Sequence, residues 1–147
     1  MNDNKAAARN PIEAVDALVA EREQVARAKS AAIARFNEHE IALDRSLSAM
    51  AFLAGRVGEA EAALKRILAL LPDDLDALNR LGHIAQFRGE PDEAKRLYSR
   101  VGELAPDDAW RAISLGNLGL IEEARGNLDA AEDYLKRSLS WMLFTPK

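Results

Sequence analysis

The chain has 147 residues, 48% hydrophobic and 30% charged, with a net charge of −4 and a sequence pI near 5.3. It has no cysteine, which excludes disulfides, zinc–thiolate sites and cysteine nucleophiles. No strongly basic patch stands out, which argues against nucleic acid as a partner, and no run reaches the roughly 18 uninterrupted apolar residues that a membrane span needs.

Residues 1–10 are polar, have no apolar stretch behind them, and are expected to be a disordered tail. A cytoplasmic location is the default expectation. Asn10 followed by Pro11 marks a helix start, a capping side chain and then a proline in the first turn. From there to Ala54 neither Gly nor Pro occurs. Apolar residues fall at alternating steps of three and four: Ile12, Val15, Val19, Ala26, Ile33, Phe36, Leu43, Leu47 and Met50, with Arg22, Lys29 and Glu40 interrupting the stripe. The spacing predicts a long helix over 11–40, acting as a cap or a degenerate repeat, or else as an arm that pairs with a second copy. Asn37-Glu38-His39-Glu40 is the expected place of any break.

Beyond residue 40 the chain repeats itself. Gly55, Ala60, Leu70 and Pro72 recur 34 residues later as Gly89, Ala94, Leu104 and Pro106. A third copy follows at a shift of 37: Leu81-Gly82 becomes Leu118-Gly119, Gly89 becomes Gly126, Ala94 becomes Ala131, and Leu104 becomes Trp141. The three extra residues fall within Asp107–Ala112 and predict a first helix longer by nearly one turn in that copy. Each copy parses as helix, turn, helix. A glycine sits at the turn (Gly55, Gly89, Gly126), where a left-handed conformation is open to it. An acidic residue (Glu59, Asp92-Glu93, Asp129) follows at the start of the second helix, where the helix dipole favours it. Ala60, Ala94 and Ala131 are small where two helices must cross, and Pro-Asp-Asp at 72–74 and 106–108 supplies a stop and a fresh N-cap.

With these residues in place, the pattern resembles the tetratricopeptide-repeat family. The segment LNRLGHIAQFRGEPDEAKRLYSRVGELAPDD (78–108) is the best copy, and the likeness covers about residues 41–145. The implied fold is an all-α superhelix of three helix-turn-helix repeats, 41–74, 75–108 and 109–147, behind the N-terminal helix; another α-solenoid or a plain helical bundle is the runner-up. Asp44 and Ser48 depart from the family pattern in the first repeat, where a bulky residue and a Gly or Ala are usual. Glu122 departs from it in the third, which also lacks the closing proline.

The resemblance implies that the first helices line a concave groove that takes a peptide or partner protein. The residues on that face include Arg45, Phe52, Asp76, Asn79, His83, Gln86, Leu120 and Glu123, with Ala42, Ala49, Ile113 and Gly116 between them. The Lys/Asn, Asn, Lys/Arg set that clamps chaperone C-terminal carboxylates is mostly absent from the matching places (Arg45, Ala49, Arg80, Ile113, Asn117), so such tails are not expected as ligands. At the C-terminal end, Trp141, Met142, Leu143 and Phe144 stand where a further repeat would cover them. They are candidates for self-association, for folding back, or for contact with another protein. Trp110 is expected to begin the lengthened helix and pack on the second repeat.

No catalytic constellation emerges. His39 and His83 lie in different helices without carboxylates at ligand spacing, so no metal site is expected. Asp73-Asp74 and Asp107-Asp108 are explained by capping, and Glu122-Glu123 is expected to be solvated or at the groove edge. Gly116, Gly119 and Gly126 lack the strand and the Lys-Ser/Thr of a phosphate loop. No cofactor is expected, and the reading is a non-enzymatic adaptor or scaffold. The alternatives are a self-assembling structural protein joined through its terminal helices, or the recruiting N-terminal segment of a larger enzyme.

Overall fold

A computed structural model describes residues 11–143. The expected tail at 1–10, Phe144 and the last three residues lie outside them. The described residues form six α-helices: α1 (Pro11–Leu53), α2 (Val57–Leu70), α3 (Leu75–Phe87), α4 (Pro91–Leu104), α5 (Asp108–Ala124) and α6 (Leu128–Leu143). They divide into two units, residues 1–40 and 41–147.

Of the first unit, the described part is the N-terminal stretch of α1. From Ile12 to Glu40 every residue is exposed except Ala14 and Asn37, which are half-buried. At Asn37–Glu40, the place where any break was expected, α1 continues as one helix. Polar residues of ordinary helix propensity do not interrupt a backbone ladder, and the chain offers no Gly or Pro there to do so.

The second unit is a run of helix pairs, and the sequence signals explain its turns. Gly55, Gly89 and Gly126 have φ of 73°, 72° and 79°, the left-handed region open to glycine. Each turn closes with the same two backbone bonds. Gly55 N–H donates to Phe52 O and Arg56 N–H to Ala51 O; Gly89 and Glu90 do the same to Gln86 and Ala85, and Gly126 and Asn127 to Glu123 and Glu122. Carbonyls left over at each helix end are thereby satisfied. At the other ends, Asp74 accepts from Ala77 N–H and Asp107 from Trp110 N–H, so one member of each aspartate pair is an N-cap. Helix α5 has 17 residues against 13 in α3: the three-residue insertion lengthens it, and it also starts one residue earlier in the repeat.

The core follows the repeat. Ala60, Ala94 and Ala131 are buried at the crossings. One apolar cluster joins Ala51, Leu64, Ile67, Leu78, Leu81, Ile84, Leu97 and Val101, with Trp110 packed against it. A second joins Ala85, Ala94, Tyr98, Leu118 and Ile121, with Tyr134 against it. Close approach needs missing side chains: a Cβ on Gly102 would lie 2.6 Å from Ser114 Oγ, and one on Gly119 would lie 2.9 Å from Leu135 Cγ. Ser114 and Ser138, buried on α5 and α6, donate to the carbonyls of Tyr98 and Ala112 at 2.7 and 2.8 Å, so neither hydroxyl is left unsatisfied.

Candidate protein-interaction groove

Two linked features occupy the face formed by α3 and the last turns of α1. The first is a charged ladder. Arg45 Nη2 donates to Asp74 at 2.5 Å and Nη1 to Asp76 at 3.3 Å, and Asp76 also accepts from Arg80 Nε at 2.8 Å. Arg45 and Asp76, both expected on the groove face, are paired with each other, and Arg45 also with the helix-capping Asp74.

The second feature is a directed chain of hydrogen bonds. Asn117 Nδ2 donates to Asn79 Oδ1 at 2.9 Å. That fixes the Asn79 amide, whose Nδ2 faces His83 Nε2 at 3.3 Å. An amide N–H can only donate, so Nε2 accepts and the neutral imidazole carries its proton on Nδ1. Nδ1 lies 2.9 Å from Tyr98 Oη, which donates in turn to Gln86 Oε1 at 2.9 Å. Burial, and secondarily the Arg80 charge, push His83 below the ordinary histidine value. Burial pushes the Tyr98 phenol up. Both shifts favour the neutral forms that the chain of donors requires. Asn79, His83 and Gln86 are thus brought together through Tyr98 from α4, absent from the expected groove residues, and Asn117 from α5, one of the places compared with the carboxylate clamp.

Beside this network is a cleft of about 280 Å³ lined by Ser48, Phe52, Leu64, Arg80, His83 and Ile84. Its origin lies in the repeat. Gly82 and Tyr98 are a packed pair: a Cβ on Gly82 would clash with Cε1 at the edge of the tyrosine ring and lie 2.8 Å from its Cζ. Their counterparts 34 residues earlier are Ser48 and Leu64. Serine keeps the Cβ that glycine lacks, and leucine stops short of the groove that the tyrosine hydroxyl reaches. The space that a tyrosine fills in the second repeat is open in the first. The signal was in the sequence, since Ser48 departs from the family pattern at just that place. Of the expected groove residues, Phe52 and His83 line this cleft. Leu120 and Glu123 are exposed on α5, a helix that contributes nothing to its wall.

Glu122 corrects the sequence reading. It is buried, not solvated. Lys95 donates to its Oε1 at 2.7 Å and Asn127 Nδ2 to its Oε2 at 2.7 Å. These bonds hold its carboxyl below the usual carboxylate range. At the C-terminal end, Trp141 carries the Arg111 guanidinium 5.3 Å from its ring centroid, an arrangement with cation–π attraction, and is still 41% exposed; Met142 and Leu143 are more exposed. Among the described residues there is no cluster of His, Asp or Glu fit to hold a metal ion, and no helix is long and apolar enough to cross a membrane.

The tetratricopeptide-repeat family model matches residues 73–140. The chain is similar to cellulose synthase operon protein C of Pseudomonas fluorescens (strain SBW25), 34% identical over 86 residues, which cover 55% of this chain and 7% of that protein. Two crystal structures of MamA superpose with TM-scores of 0.59 and 0.58. Each is 28% identical and covers 65% of this chain, with 54% and 50% of the MamA chains matched. The chain therefore spans about half the length of the MamA chains and a small fraction of the cellulose synthase operon protein.

Proposed function

We propose that this chain, which belongs to the tetratricopeptide-repeat family through residues 73–140, is an adaptor that holds a peptide segment of a partner protein along the α3 face. Repeat arrays of this kind are interaction modules in general, because stacked helix pairs create an extended concave surface. The finer reading rests on one observation, the cleft left where Ser48 and Leu64 replace a Gly–Tyr pair. An apolar side chain of the partner enters between Phe52, Leu64 and Ile84. Asn79, His83 and Gln86, already oriented by one another, read the partner's backbone at the rim. Arg45, Asp76, Leu120 and Glu123 flank the track. A site of this design gains affinity from a buried apolar anchor and selectivity from a few fixed polar groups.

The test is to close the cleft without disturbing the fold. The double substitution Ser48→Gly/Leu64→Tyr transplants the second repeat's pair into the first. A displayed random-peptide library is selected against the wild-type chain, and the enriched peptides are measured against the double variant and against Phe52→Ala. The reading expects enriched peptides to share one apolar residue, and to bind the double variant at least tenfold more weakly while its helicity and melting are retained. Peptides that bind both proteins equally would refute the cleft as the anchor site.

A further inference from the structure

The N-terminal stretch of α1 presents Val15, Leu18, Val19, Val25, Ile33 and Phe36 at exposures between 51% and 64%. These residues form one stripe. Val15, Val19, Ala26, Ile33 and Phe36 fall on the two seam positions of a seven-residue repeat, and Leu18, Val25 and Ala32 widen it on one side. A strict seven-residue period is the signature of a helix that pairs with another helix. Arg22 and Lys29 occupy seam positions too, and they decide which partner and which direction fit.

In a parallel, in-register pair of copies, Arg22 would face Arg22 and Lys29 would face Lys29, placing like charges together in a desolvated seam. Reversal of one copy about residue 24 removes both conflicts. Val15 then meets Ile33 of the other copy, Val19 meets Lys29, and Arg22 meets Ala26. The long cationic stems lie against short side chains, with their charged ends free to reach water. Along the widened edge, beside the dyad, Val25 lies diagonally next to Val25 of the other copy, and Leu18 lies diagonally next to its Ala32. The stripe is complementary to its own reversal, which is the condition for a closed two-fold contact. We infer that α1 pairs antiparallel with α1 of a second copy through residues 15–33, centred on residue 24 with Val25 beside the dyad. This contact is independent of the groove and serves to make the adaptor bivalent.

The chain has no cysteine, so engineered thiols report directly. Full-length Val15→Cys and Ile33→Cys variants are oxidised mildly, each alone and then mixed, with light scattering of the wild type alongside. The antiparallel pairing sets a thiol at position 15 about 27 Å from the same position of the other copy, from 18 residues at 1.5 Å each, and adjacent to that copy's position 33. Each variant alone is therefore expected to stay uncrosslinked, the mixture to give a covalent heterodimer, and the wild type to scatter at twice its 16.1 kDa mass. Val25→Asp is expected to abolish the dimer while the repeat array keeps its melting transition. Crosslinking of either variant with itself would make the pair parallel and overturn the inference. So would a wild type that remains monomeric at high concentration, leaving α1 for a different protein. A dimer without the 15–33 crosslink would overturn it as well, by assigning the contact to another surface such as the Trp141 end. Phe52→Ala in the same background leaves the crosslink unchanged, so loss of the groove reading and loss of this one are separable.

Discussion

Residues 11–40 and the α3–α4 pair carry similar amounts of apolar sequence and dispose of it in opposite ways. In α3 and α4 the period places Ala77, Leu81, Ala85, Ala94 and Tyr98 inside, and the neighbouring pairs complete the cover. In the N-terminal part of α1 the seven-residue stripe recurs with Arg22 and Lys29 interrupting it, and its apolar side chains stand in solvent. Helical periodicity therefore states only that a face requires a cover. What distinguishes the two regions is the punctuation: glycine turns and proline stops at fixed intervals fold a chain back to cover itself, and α1 has none between Pro11 and Ala54.

The largest expected effect tests that contrast at single side chains. Tyr98 has no exposed surface and joins the second core cluster to the groove. Tyr98→Ala is expected to lose about 3–5 kcal/mol, the usual range for an emptied aromatic core site, whereas Val19→Ala in the same chain, measured at a concentration where any α1 pair is dissociated, stays within about 0.5 kcal/mol. Urea unfolding followed by circular dichroism measures both. Comparable losses at the two positions would abolish the distinction between a covered and an uncovered face.

The next effect is smaller and compares two glycines at the same place in successive repeats. A Cβ at Gly82 meets the rigid Tyr98 ring, while one at Gly119 meets the branched end of Leu135 at 2.9 and 3.0 Å. Leucine can shift its rotamer and a buried ring cannot. Gly82→Ala is expected to lose about 1–3 kcal/mol, the range for overpacking, and Gly119→Ala less than that. Adding Tyr98→Leu to Gly82→Ala should recover part of the packing loss, a non-additivity that a double-mutant cycle reads directly.

Much of this was legible in the sequence, because the relevant determinants are local. The turn glycines, the crossing alanines, the capping aspartates and the longer α5 each act within a few residues of their own position. The misses are non-local or directional. Glu122 looked solvated because its partner Lys95 stands 27 residues away on another helix. Arg45 and Asp76 were both placed on the groove face, but their pairing spans 31 residues. The link from Tyr98 to His83 depends on which nitrogen of an imidazole is protonated, and that depends on Asn117, a helix further on.

Glu122 gives the third prediction. Hydrogen bonds from Lys95 and then Asn127 hold its carboxyl below the ordinary carboxylate value. A group with a depressed folded pKa contributes stability that is present above the ordinary value of 4.5 and lost as pH falls through the lower one. Lys95→Ala removes the larger of these two causes, so the variant should be less stable than the wild type at pH 7, and the gap should narrow on acidification below pH 4.5. Parallel stability curves for the two proteins across that range would show that the ion pair is not felt by the fold.

The smallest effect concerns His83, and it tests whether the groove's hydrogen-bond chain is real. The folded protein holds the imidazole neutral, first through burial and then through the Arg80 charge, so its pKa lies below the unfolded value near 6.5. The unfolded chain therefore takes up the proton first as pH falls. Stability is full above pH 6.5 and declines from there down to the lowered folded value. Protonation also puts an N–H on Nε2, facing the Asn79 amide nitrogen 3.3 Å away. The conflict is relieved only if the Asn79 amide turns over, which breaks its bond from Asn117. His83→Gln is expected to flatten the stability profile between pH 6.5 and 5, and Asn79→Asp to oppose the depression, because a carboxylate accepts from a protonated Nε2. If imidazole titration followed by NMR gave the Asn79→Asp protein a higher His83 pKa than the wild type, residue 79 would be shown to face the ring closely enough to govern its charge. An unchanged value would mean that Asn79 does not govern the ring, and that the polar rim of the groove is assembled side chain by side chain.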